Sequence, residues 1–336
     1  MAILSMIKSI NITESLVELS QIITIVTTLF ILLVLISERL IKINHILTII
    51  SLTLIVDLAF SLRPYILFLI NDISYTMEDN WRLVGLYGNR NILATTIAFR
   101  IPFLIILSNR LNKQNFFLLS FFISIIAFFN IMLLSSRATY LAIILCFVFI
   151  VFIIIIKYFK DRKNIFLANR SIILLYIIPS VIAYILSFQA IDSSAGSVTS
   201  RISTITSTND TSKNTRIRYY SQSIDHISKN PFLGAGIGNW KIWSIKYDSE
   251  NIQNYIIPYN AHNDILEAAA ETGIIGGLSF LSFFLVIGYY LFKILKESIF
   301  SREKLAIGIL LSLPFINYFI YLNLNFPSSR PINQFF

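Results

Sequence analysis

ATYLAIILCFVFIVFIIII, residues 138–156, contains nineteen residues without a single charge. At 1.5 Å per residue a helix of that length covers about 28 Å, close to the thickness of bilayer hydrocarbon. The run reads as a membrane-spanning helix. Working outward, seven more stretches read the same way, at 22–36, 46–62, 92–108, 116–134, 171–189, 264–292 and 305–322. The first two are slightly short and extend by a turn into their flanks. The fold class is therefore an all-α polytopic membrane protein with about eight transmembrane helices. One large extracytoplasmic loop separates the sixth from the seventh. In chain order the blocks are six spans over 1–189, a loop subdomain over 190–263, and two spans with a tail over 264–336.

Composition agrees. Of 336 residues, 56% are hydrophobic and only 13% charged, with a mean hydropathy of +0.73, whereas soluble domains carry about 25% charge. The single cysteine, Cys146, lies inside the opening run, so thiols build neither a disulfide framework nor a metal cluster. It reads as an inert packing residue.

The net charge of +9 has a topological origin. Connectors 37–45, 109–115, 157–170 and 293–304 hold thirteen basic residues in 42 positions, while the opposite set spreads thirteen over about 140. The dense side is cytoplasmic by the positive-inside rule. A nucleic-acid partner is not implied. Both termini and the long loop then lie outside the cytoplasm. The first 21 residues lack the basic, apolar and small-residue zones of a cleavable signal peptide. An outside amino terminus without a signal leads to the expectation that an odd number of helices precedes this chain in a longer protein.

The loop has its own organisation. Residues 190–215 are rich in Ser, Thr, Asn and Asp and read as irregular. Ile217, Tyr220, Ile224 and Ile227 recur at helical spacing, predicting an amphipathic helix over 214–228 that ends at Asn230-Pro231. LGAGIGNW follows at 233–240. Its Gly234, Gly236 and Gly238 suit either a structural turn or a backbone cradle for phosphate, and the turn is favoured. No strand precedes these glycines and no ordinary helix start follows, so a dinucleotide-binding fold is a poor reading.

HNDILEAAAETGIIG, residues 262–276, opens the seventh span. Asp264 and Glu267 match a helix-capping pattern. Helical geometry puts Asp264, Glu267 and Glu271 on one acidic stripe, with His262 just before the helix and off it. One reading has the acids solvate the helix end while His262 merely hydrogen-bonds there. The other makes His262 a titratable group at the water–lipid boundary, available for chemistry. A metal site fits poorly, because His262, Asp264 and Glu267 do not share a face. Four arginines accompany it on the outer side: Arg137 in SSRATYL (135–141), Arg90 in GLYGNRNILA (85–94), and Arg216 and Arg218 on the loop helix. The last two point about 200° apart, so one of them faces inward. Guanidinium forks well onto phosphate, and it also snorkels to lipid headgroups. Asp57 and Arg100 are the only ionisable residues deep in the spans. A transporter, the distant alternative, would need more of them.

These residues resemble the O-antigen ligase and polymerase superfamily, membrane glycosyltransferases whose donors are glycans linked to polyprenyl diphosphate. HNDILEAAAETGIIG is similar to the ligase signature: His, then Asn, Ser or Gln, nine free positions, Gly, two free positions, and Gly, Thr or Tyr. KNPFLGAGIGNW (229–240), GLYGNRNILA and SSRATYLA resemble its other motifs, in the same order. The resemblance implies transfer of a glycan from undecaprenyl diphosphate to an acceptor, without metal or cofactor. His262 would be the base, working near its ordinary pKa, and Arg137, Arg216 and Arg218 would hold the diphosphate. Arg90, Asn263, Tyr219, Tyr220 and Trp240 would contact substrate, with Trp243 a further ring for sugars or for anchoring the loop. Arg137 and one of Arg216 and Arg218 would share a cavity with His262. Lipid A-core is the implied acceptor of a ligase. A second lipid-linked glycan would make the chain a polymerase, and a protein hydroxyl an O-oligosaccharyltransferase. The implied setting is the bacterial inner membrane among its lipids, with the active site facing the periplasm. Members have about a dozen helices with the long loop after the ninth. Here it follows the sixth, which implies three helices missing in front and one behind.

Overall fold

The computed structural model describes residues 1–160, 170–192, 197–203, 211–252, 258–298 and 301–324. The irregular stretch expected over 190–215 falls partly outside them, as does the tail beyond 324. The described residues form ten principal helices and no strand: α1 Ile12–Ser37, α2 Ile43–Ile70, α3 Arg90–Leu111, α4 Gln114–Leu134, α5 Arg137–Lys160, α6 Arg170–Ala190, α7 Thr211–Lys229, α8 Trp240–Tyr247, α9 Asp264–Ser298 and α10 Arg302–Leu324. All but α7 and α8 are long and apolar enough to cross a membrane. The eight expected spans are present, and α7 is the expected loop helix. α1 starts ten residues before its apolar core because Asn11 caps it, its Oδ1 accepting from the N–H of Thr13 (3.0 Å) and Glu14 (3.4 Å).

A helix, α8, does follow the glycines, and its start is not an ordinary one. Asn239 offers it no side-chain cap. The Trp240 N–H instead donates to Glu271 Oε1 of α9 at 3.1 Å. A cap supplied from thirty-one residues away leaves no local signature.

The chain divides into two compact units. Of the described residues, the first takes those within 1–40, 208–287 and 321–324, and the second those within 41–207 and 288–320.

In the second unit α3 packs against α2 and α4, and α4 against α6. Its interior carries paired polar groups. Asp57 of α2 forms an ion pair with Arg100 of α3 and accepts from the Tyr87 hydroxyl at 2.9 Å. Charges that neutralise one another in the core leave neither for a transport pathway, which weakens the transporter alternative. Ser61 donates to Leu83 O (2.9 Å) and Asn130 Oδ1 (3.0 Å), and Cys146 is buried with its Sγ 3.7 Å from Leu313 O.

In the first unit the glycine-rich loop is the hub. Ser15 donates to Ile237 O (2.6 Å), and Asn239 exchanges hydrogen bonds with the Asn11 backbone at 2.8 and 3.2 Å. Lys241 pairs with Glu14. A Cβ at Gly234 would overlap the backbone of Ala270 and Glu271, one at Gly236 would overlap Ser9, and one at Gly238 would lie 2.7 Å from Glu14 O. These glycines permit close backbone approach, as a structural turn requires.

Candidate active site around His262

Gly273, the first glycine of the GIIG signature, breaks α9. Its φ of 79° and ψ of 173° are open essentially to glycine alone. The Ile274 N–H leaves the helical ladder and donates to Pro231 O at 2.8 Å. The carbonyls of Ala270 and Glu271 accept instead from the N–H groups of Ala235 (2.8 Å) and Gly236 (2.9 Å). The break thus seats the glycine-rich loop on the first two turns of α9. This satisfies carbonyls that a helix end would otherwise leave bare.

Those two turns present His262. Asn263, rather than Asp264, caps α9: its Oδ1 accepts from Ile265 and Leu266, both at 3.0 Å, and its Nδ2 donates to Asn323 Oδ1 at 3.3 Å. The acidic stripe is on one face as expected, but it does not solvate a helix end. Asp264 is only 3% exposed. Glu267 Oε2 accepts from the Ala261 N–H at 2.7 Å, and Glu271 holds α8 through Trp240.

His262 itself is left-handed at φ 58°. Histidine reaches this region more readily than most residues, at a cost on the order of 1–3 kcal/mol. Its half-buried ring stacks on Tyr219, with centroids 5.8 Å apart and planes 18° from parallel. The Tyr220 hydroxyl lies 3.1 Å from the His262 carbonyl oxygen and 2.8 Å from that of Asn323. Burial, and secondly the positive charge of Arg216, lower the imidazole pKa to about 4. This corrects the expectation of a near-ordinary value: the start of this long apolar helix is a drier place than its polar sequence suggests. The ring is neutral at physiological pH and able to accept a proton.

Residues 122–281, which include His262, Tyr219, Tyr220, Asn263 and Glu267 but not Asn323, match the family model described as O-antigen ligase. The match over this segment, 160 of the 336 residues, supports the O-antigen ligase and polymerase superfamily. The match holds the SSRATYLA, KNPFLGAGIGNW and HNDILEAAAETGIIG motifs, and GLYGNRNILA lies upstream of it. No curated protein and no solved structure matches the chain.

The other candidate residues divide clearly. Arg216 and Arg218 do point to different surroundings. Arg216 is the cation acting on His262 and on the Tyr220 hydroxyl. Arg218 forms an ion pair with Asp248, with one terminal nitrogen donating to Oδ2 at 3.1 Å and Nε lying 2.8 Å from Oδ1, and braces the loop. Trp240 is 1% exposed and packs with His226 and Tyr247 as the loop's own core, so it is not available to stack on sugars. Trp243 joins the same cluster.

Arg137 and Arg90 belong to the second unit, where each is half-buried at the first position of a helix, α5 and α3. Asn89 caps α3, its Oδ1 accepting from Asn91 at 2.8 Å, and the charge of Arg90 lies near Tyr75. The hydroxyls of Thr95 and Thr139 meet at 3.0 Å, so the two helix starts are neighbours. A helix start is already positive. Adding arginine there opposes helix stability and deepens a potential suited to an anion.

Sequence reasoning missed Asp248 and the bracing role of Glu267 and Glu271. Helical periodicity located the acidic face but carried no signal of the backbone groups it would meet.

Proposed function

We propose that the chain is an O-antigen ligase of a bacterial inner membrane, moving a glycan from undecaprenyl diphosphate to lipid A-core at the periplasmic face. The observation that supports this most is a neutral imidazole, oriented by Tyr219, with the guanidinium of Arg216 beside it. The acceptor hydroxyl gives its proton to His262. The freed oxygen bonds to the anomeric carbon of the donor glycan, and the bond from that carbon to the diphosphate oxygen breaks. Undecaprenyl diphosphate departs with the bonding electrons, leaving the proton on His262.

A diphosphate is a good leaving group, so catalysis asks chiefly for positive charge where its negative charge grows. Arg216 supplies this in the first unit. Arg137, at a helix start of the second unit, is proposed as a phosphate-binding residue in its own right. A bound anion near Arg216 also offsets the charge that weakens His262 as a base, so donor binding would strengthen the base that activates the acceptor. Asn263 caps the helix that carries the base and Arg218 braces the loop, while Tyr219 and Tyr220 fix the histidine. The family description of the matched segment favours the ligase form.

The test is expression in a bacterium deleted for its own ligase. Glycan-capped lipopolysaccharide should return, and long glycan held on undecaprenyl diphosphate should fall. Restoration of chain length on the lipid carrier, in a strain that makes only single repeats, would instead indicate a polymerase. Neither outcome would remove the glycosyltransferase reading from consideration; failure of both would.

A further inference from the structure

We infer that Glu267 is a positioning residue for His262, acting through the backbone rather than through its charge. The inference rests on the proposed role of His262 as the base.

His262 occupies the position just before the cap of α9, in a backbone conformation that side chains other than glycine avoid. Such a residue holds its geometry only where its surroundings over-determine it. Three contacts do so here. Before it, the Ala261 N–H donates to Glu267 Oε2 at 2.7 Å, and Ala261 is fully buried. At it, the carbonyl oxygen meets the Tyr220 hydroxyl at 3.1 Å. After it, Asn263 caps the helix through two N–H groups at 3.0 Å. The arrangement is a capping box widened by two residues on the amino side and one on the carboxyl side. The glutamate reaches back past the cap to the N–H of residue 261, so the histidine is held inside the box instead of standing outside it.

The charge of Glu267 is not what reaches the imidazole. The influences on the ring are burial and Arg216. The glutamate needs only an acceptor oxygen, which glutamine also has. Without it the Ala261 N–H is buried unmade, the left-handed turn relaxes, and the ring leaves its stack on Tyr219. A base displaced by about 1 Å loses on the order of 100-fold in rate.

The experiment compares Glu267→Gln, Glu267→Leu and Glu267→Ala in the full chain. Two readouts are followed: glycan transfer, and the rate at which diethyl pyrocarbonate acylates His262, resolved by peptide mass spectrometry. Glu267→Gln should keep transfer within about threefold of wild type and leave His262 reactivity unchanged. Glu267→Leu and Glu267→Ala should lower kcat about 10- to 100-fold with KM little altered, and His262 should be acylated several-fold faster as its ring comes free. Glu267→Gln as impaired as Glu267→Ala would overturn the proposal, because the charge would then be what matters. Unchanged His262 reactivity in Glu267→Leu would overturn it equally. Where the apolar variants do not accumulate, Glu267→Gln and the His262 reactivity decide. The reactivity arm needs no transfer, so it stands even if His262→Ala shows the histidine not to be the base.

Discussion

Exchanging Arg216 for glutamine should move the titration of His262 by an amount the structure bounds. Burial first, and the Arg216 charge second, bring that imidazole from 6.5 to about 4. The gap of about 2.5 corresponds to roughly 3 kcal/mol at most, at 1.36 kcal/mol per pH unit, less whatever solvent screens from a half-buried ring. Because the folded value is the lower one, the neutral ring's contribution to stability is full above 6.5 and is lost as the pH falls from there towards 4. Burial is the larger cause, so Arg216→Gln should return less than half of the gap and leave the ring titrating no higher than about 5. Arg216→Lys, which keeps the charge, should leave it near 4. The assay is the pH dependence of His262 acylation by diethyl pyrocarbonate between pH 4 and 8, alongside kcat/KM for transfer, which reports groups of the free enzyme. Wild type should react at a constant rate from pH 8 down to about 5.5 and then decline. A wild-type midpoint near 6.5 would refute the burial of the ring, and an unchanged midpoint in Arg216→Gln would refute the proximity of Arg216.

Gly273→Ala should cost roughly 3 kcal/mol or more, since alanine tolerates neither φ 79° nor the overlap with the Phe232 backbone; a melting temperature within a degree of wild type would contradict the break as described. Arg137→Ala should lower transfer about 100-fold with Arg137→Lys recovering little, because lysine presents a point charge and no fork; full activity in Arg137→Ala would contradict its phosphate-binding role. On a Cys146→Ala background, a cysteine at exposed Ser203 should label from outside intact cells and one at exposed Lys113 only after permeabilisation; the reverse would invert the proposed topology.

The eight spans were legible because lipid leaves a chain no choice: every backbone polar group must be bonded internally, in runs of about twenty apolar residues. Their ends were less so. α1 reaches back to Asn11 through polar residues that hydropathy discounts, and α9 starts at an Asn263 cap where the spacing of Asp264 and Glu267 suggested a cap one residue later. Periodicity placed Asp264, Glu267 and Glu271 on one face and separated Arg216 from Arg218, and both hold. What periodicity cannot carry is the identity of the surroundings. The acidic face met backbone N–H groups rather than water, Arg218 met Asp248, and Trp240 met His226 in a small buried core. Except for Glu267 with Ala261, six residues apart, these pairings close between separate segments of the chain, where local sequence has no voice. His262 was found because a lone imidazole at a membrane boundary is conspicuous. Its lowered pKa depends on packing against Tyr219 and on Arg216, and so was not foreseen.

The central claim is that His262 takes the acceptor's proton, and the most direct measurement is glycan transfer by His262→Ala in the deletion strain, with protein abundance monitored in parallel. General-base catalysis commonly contributes about 10²- to 10⁴-fold. Glycan-capped lipopolysaccharide should therefore be absent while the variant accumulates to the wild-type level. Capping at the wild-type rate would make the histidine a packing residue and contradict the mechanism.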